Sequence, residues 1–207
     1  MKIKLTKTEL KAQKDALARF KRYLPMLQLK KQQLQSEIAH INAHIDGVAA
    51  RKNDAETALQ KWTRLFADPE MNPETLCVPI AIHTEPGNIA GVRIPLFKSV
   101  TLDQPEQDPW LTPAWVDDAQ RELAIILTLR AEIGVLETQR ECVADELRVT
   151  SQRVNLFEKV KIPECREAIR VITIALGDEQ TAGVVRGKIA KGRNSEYGVR
   201  GLAPALG

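Results

Sequence analysis

The chain has 207 residues, 43% of them hydrophobic and 28% charged, with 4% aromatic residues and a formal net charge of +3. So few aromatics beside so much aliphatic character argue against a wide packed core and for a thin seam between helices. No apolar run approaches the roughly 18 residues that a membrane span needs, so no direct membrane insertion is expected.

Residues 1–66 read as one long helix. Counting in sevens from Ile3, the a positions include Leu10, Leu17, Leu24, Ile38, Ile45 and Leu59, and the d positions Phe20, Leu27, Leu34, Ile41 and Val48. A repeat of 3.5 residues held this long predicts a left-handed coiled coil. At 1.5 Å per residue the heptads from Ile3 to Phe66 would make a rod of about 96 Å. Pro25 interrupts the pattern of backbone donors and marks a bend.

Residues 67–113 hold eight of the eleven prolines, so the helix ends here and the chain reverses. Leu76–His83 and Ile89–Leu102 are rich in Val, Ile and Thr and read as two short strands around Glu85-Pro86-Gly87-Asn88. They would form a small β-hairpin head.

Residues 114–193 resume the heptads, with Ile126, Ile133, Leu147 and Val154 at a and Leu129, Leu136, Val143 and Phe157 at d. Beyond Lys161 the register slips, and Ile162, Cys165, Ile169, Ile172 and Leu176 carry the stripe. The slip coincides with Pro163, which removes a donor from the helix. If the chain folds back near 66 and 114, facing residues have numbers totalling roughly 180. Pro25 then lies opposite about residue 155, and the two prolines are expected to share a bend in the rod. Trp62 and Trp115 would cap the neck below the head. Gly177, Gly183, Gly187 and Gly192 weaken the last turns, and residues 194–207 are expected to be a disordered tail. The expected fold is therefore all-α: a long antiparallel two-helix coiled coil of the N- and C-terminal helices, with a β-hairpin head in the middle of the chain.

Charge is polarised. Met1–Lys31 holds ten basic and two acidic residues, Arg153–Arg200 ten and six, while Ala67–Asp118 holds two and nine. Folding the hairpin brings the basic ends together and leaves the acidic head about 90 Å away. Lys7, Lys11 and Lys14 recur on one helix face, and Arg186, Lys188 and Lys191 follow on the second helix. The two sets are expected to meet at one level and face an acidic partner. Lys31, Lys52 and Arg140 occupy a positions and would fix register, with Glu132, Glu137, Glu141, Asp145 and Glu146 as partners for the lysines.

Catalytic patterns fail on inspection. Gly183–Ile189 imitates a phosphate loop, yet has three residues between its glycines and no Ser or Thr for magnesium. His40 and His44 stand four apart, but Ile41 replaces the glutamate of the zinc-protease motif. His83 has no ligand-spaced neighbours. No catalytic residue, cofactor or metal is expected. Cys77, Cys142 and Cys165 are scattered and odd in number, which points to reduced thiols in a cytoplasm. Met1–Lys7 is charged without an apolar stretch, so no signal peptide is expected.

Three stretches resemble the D subunit of the V-type and A-type rotary ATPases. Leu5-Thr6-Lys7-Thr8-Glu9-Leu10 with Leu27-Gln28-Leu29-Lys30-Lys31 is similar to the family's opening. Asn88-Ile89-Ala90-Gly91-Val92-Arg93-Ile94-Pro95-Leu96-Phe97 resembles its central hairpin, where Asn88, Gly91, Val92 and Pro95 would shape the head. Arg153–Pro163 resembles its C-terminal helix. The stretch after Leu176 departs from the family in its glycines, and Ser195–Gly207 matches no pattern of the family.

The resemblance implies a non-catalytic rotor component of the central stalk, cytoplasmic and peripheral to the membrane. Its coiled-coil end would enter a hexamer of A and B subunits. Its head would face the F subunit and the central-stalk component that joins the shaft to the membrane ring. Such a shaft couples ATP hydrolysis or synthesis to ion translocation. The alternative from the residues alone is a non-rotary antiparallel coiled-coil stalk or a client-binding holdase. A nucleic-acid binder is disfavoured, because the basic ends carry few aromatics and no reading motif.

Overall fold

The computed structural model describes residues 4–60, 76–105, 113 and 115–200. Helix α1 spans Lys7–Gln60, strand β1 Val78–Ile89, strand β2 Val92–Asp103, helix α2 Trp115–Asn155, a π-helical turn Leu156–Lys161 and helix α3 Ile162–Arg200. The expected neck residue Trp62 lies outside the described residues, while Trp115 opens α2. The chain divides into two compact units, one of residues 28–152 and one joining the chain up to Leu27 to the residues from Arg153 onward.

Thr6 caps α1. Its hydroxyl accepts the Glu9 backbone N–H at 3.2 Å and its carbonyl accepts the Leu10 N–H at 3.0 Å. This satisfies donors that an uncapped first turn would leave orphaned. The Thr-x-x-Glu spacing suits a reciprocal capping box, but the Glu9 carboxylate instead accepts from the Gln13 amide at 2.8 Å. At the other helix start, Val116 N–H donates to the Pro113 carbonyl at 3.0 Å. Asp117 and Asp118 add negative charge beside the positive end of the α2 dipole.

Within the unit of residues 28–152 the helices pair antiparallel through the expected d positions. Leu34, Ile41 and Val48 of α1 are buried, as are Leu129, Leu136 and Val143 of α2. Ion pairs at Lys30–Glu146 (2.6 Å) and Arg51–Glu132 (3.4 Å) put residues opposite one another at totals close to the expected 180.

The polar registry differs from expectation. Lys52 pairs with Glu56 on its own helix at 3.3 Å, and among the described residues the basic side chains that approach a carboxylate of the other helix are Lys30, His44 and Arg51. Each of these three precedes an a position by one residue. Flanking side chains reach across the seam edge with their charges still wet, whereas a side chain inside the seam must first snorkel out.

The hairpin departs from expectation in two ways. β1 runs straight through Glu85-Pro86-Gly87-Asn88, and the reversal comes later, between Ile89 and Val92. Ala90 (φ 51°) and Gly91 (φ 83°) both take positive φ, the backbone of a two-residue hairpin turn whose twist suits the strands. Asn88 supports it by accepting the Gly91 N–H on Oδ1 at 2.9 Å. Secondly, the hairpin does not stand clear of the helices. Ile94, 3% exposed, packs with Leu34, Ile41 and Val143, and Ile89 and Val92 close over the same cluster. Burying that apolar face against α1 and α2 outweighs extending it into water, at roughly 25 cal/mol per Å² of apolar surface.

In the other unit the second helix is interrupted as expected. The Ile162 N–H reaches back five residues to the Phe157 carbonyl, closing a π turn immediately before Pro163. Proline has no N–H and its ring crowds the carbonyl four residues back, so a wider turn relieves both problems. The extra residue shifts the seam by one: buried Val154 is followed by buried Ile162 eight residues on, then Cys165 and Ile172. Opposite this point Phe20 and Phe157 meet at a tilt of 54°, with ring centroids 5.0 Å apart. Pro25 sits inside an unbroken α1. α3 continues through all four glycines to Arg200, past the expected boundary at 193.

Candidate functional site

The basic residues singled out above stand on exposed helix faces. Lys7, Lys11 and Lys14 are exposed in the first turns of α1, and Arg186, Lys188 and Lys191 are exposed on α3. Lysines at a helix N-terminus oppose the dipole, so helix stability is no reason for them to cluster there. Extending the Phe20–Phe157 pairing back to Lys7 reaches roughly Arg170. Arg186 lies about four turns further along α3, so the two basic sets occupy successive levels of this unit rather than one. The expectation of a single level rested on helices of equal length, and α3 extends well beyond the start of α1. Three apolar side chains accompany the α3 cations: Val184, Val185 and Ile189 are 60%, 49% and 54% exposed.

The hairpin site is built from the other unit. Pro86 and Pro95 face each other across the ladder. Neither has an N–H to offer, so this pair turns its carbonyls to the strand edges. The Pro95 carbonyl accepts the Gln139 amide at 2.6 Å, and Gln139 is 5% exposed. At the root, Gln120 Nε2 donates to the carbonyls of Leu76 (3.0 Å) and Pro105 (3.3 Å), tying both ends of the hairpin to α2. Neither glutamine stands out in the sequence, since polar residues off the seam read as surface. Gly87 leaves room for Leu96, whose Cγ would lie 2.6 Å from an added Cβ.

Between hairpin and helices runs a half-open cleft of about 400 Å³, with His40, His44 and Glu132 on its rim. His44 Nε2 lies 3.8 Å from a Glu132 oxygen, and Arg51 holds the other oxygen at 3.4 Å. Among the described residues no three His, Cys, Asp or Glu side chains are grouped to hold a metal ion. No helix among them is long and apolar enough to cross a membrane. His83 bonds the Thr101 hydroxyl at 2.7 Å on the hairpin surface. What the geometry offers is contact surface: basic helix faces, exposed aliphatics on α3, and a hairpin fixed along a coiled coil.

Comparison with known proteins agrees with that architecture. The family of the ATP synthase D subunit matches residues 9–192. The V-type ATP synthase D subunit of Borreliella burgdorferi is 44% identical over 190 residues, covering 92% of this chain and 94% of the relative. The Chlamydia pneumoniae D subunit is 34% identical with 92% of each chain covered. That of Chlamydia trachomatis serovar L2 is 32% identical, with 94% of this chain and 97% of the relative covered. The match takes in both helices and the hairpin, and the chain belongs to the ATP synthase D-subunit family.

Proposed function

We propose that this chain is the central-stalk rotor shaft of a V/A-type ATPase or ATP synthase, a non-catalytic component held at the membrane through its partners. The observation that carries the reading is the family match over 9–192, spanning the antiparallel helices and the hairpin packed on them. Both basic helix faces would enter the hexamer of A and B subunits, with Lys7, Lys11, Lys14, Arg186, Lys188 and Lys191 facing its acidic loops. The hairpin segment, with Asn88, Gly91, Val92 and Pro95 at and beside its turn, would lie toward the F subunit and the stalk component joining the shaft to the membrane ring.

An asymmetric shaft performs coupling by differential contact. Each A/B pair meets a different face of the shaft as it turns, and a site changes affinity only as far as those contacts differ in free energy between its states. Two unlike helices with a hairpin along one flank supply such unlike faces. Tagged chain isolated from its own cells should carry the A and B subunits with it, and vesicles bearing the complex should pump ions on ATP addition. Isolation with unfolded clients and without A or B would favour the holdase reading.

A further inference from the structure

We propose that the β1–β2 hairpin is a splint that clamps α1 to α2, with Ile94 wedged between the helices and Gln139 latching β2 to the flank of α2. Three attachments support it. Gln120 ties both ends of the hairpin to α2 through the carbonyls of Leu76 and Pro105. Gln139 holds the middle through Pro95. Ile94 is buried in one cluster with Leu34 and Ile41 of α1 and Val143 of α2.

The helices need this third layer. Their seam here includes Lys31 and Arg140 at a positions. Gly47 and Gly134, exposed on the outer faces of α1 and α2, lower the intrinsic helicity of each helix. A polar a position lowers the stability of a two-helix seam, and a lone two-stranded hairpin is marginal in water. Packed together each supplies the apolar surface the other lacks, so loosening one must loosen the other. β1 also carries Pro79, Pro86 and two register shifts, which blunt it as a template for strand addition and leave packing on the coil as its main use. The splint is a property of the isolated chain and does not depend on the rotor role.

Amide hydrogen exchange on the full chain tests it. Ile94→Ala should speed exchange about 100-fold in α1 around residues 34–48 and in α2 around 129–143, as expected for a large-to-small change in a buried cluster. Gln139→Ala should give about a tenfold increase over the same two stretches, the size of one lost buried hydrogen bond. Lys98→Ala removes only the ion pair with Glu85 on the outer surface of the hairpin and should leave the helix amides unchanged. If Ile94→Ala does not fold, Gln139→Ala alone decides. Faster exchange confined to β1 and β2, no change anywhere, or an equal effect from Lys98→Ala would each overturn the splint.

Discussion

Leu34 is fully buried where α1, α2 and the hairpin converge. Truncating it removes contacts with elements that cannot all collapse into the space. Leu34→Ala should therefore cost about 2–5 kcal/mol in urea denaturation, against less than about 0.5 kcal/mol for the exposed Leu29→Ala. Cys165 offers a chemical check at the same scale. Burial pushes its thiol pKa up, the neighbouring Glu164 carboxylate adds to the shift, and Lys161 opposes it. The folded protein thus holds this proton where the unfolded chain releases it, so stability should fall as pH rises through and above the ordinary thiol range. At neutral pH a thiol reagent should modify half-buried Cys142 before buried Cys165, as read by mass spectrometry. Faster labelling of Cys165 would show that its seam opens readily.

The π turn links Pro163 to the seam register at the scale of the element. Pro163→Ala alone should leave the extra residue in place and change stability by less than about 1 kcal/mol, because Val154 and Ile162 must both stay buried. Deleting exposed Lys159 in that background restores seven-residue spacing and should give a continuous helix without lowering the melting temperature. A large loss would mean the π turn serves more than spacing. In the hairpin, Gly91→Ala places a β-carbon at φ 83° and should cost about 1–2 kcal/mol. Ala90→Asn suits a positive φ better than alanine and should be neutral or slightly stabilising. The later turn was hard to read because Ala-Gly lacks the usual Asn-Gly signal, while Pro86-Gly87-Asn88 carries three turn-forming residues. Pro86 is tolerated mid-strand only because it faces Pro95 across a pair that needs no N–H.

For the whole molecule the proposed rotor role makes two demands. Exposed ion pairs contribute only about 0.2–1 kcal/mol each, so single changes at Lys7, Lys11, Lys14, Arg186, Lys188 or Lys191 should be nearly silent. Reversing all six charges should weaken association with the A/B hexamer at low salt and progressively less as salt rises. Affinity unchanged across a salt series, with helix content preserved, would mean these residues only solvate the surface. Shortening the hairpin should leave hexamer binding in place and impair coupling; a shortened shaft that no longer enters the hexamer would show that the hairpin belongs at the hexamer end.

The heptads determined the two long helices, the buried d positions and the slip at Pro163, and the eight prolines between the helices gave the reversal that lets them pair antiparallel. These are local properties, written in a 3.5-residue period and in one residue that lacks an N–H. The family, too, was legible, in three short stretches spread over both helices and the hairpin. Tertiary structure decided what period cannot encode. A hairpin has two faces and can turn either toward water or toward a coil, and only the fit of Ile94 among Leu34, Ile41 and Val143 selects the second. Gln139 and Gln120 acquire their roles through carbonyls 44 residues away in the chain, a distance over which no local pattern extends.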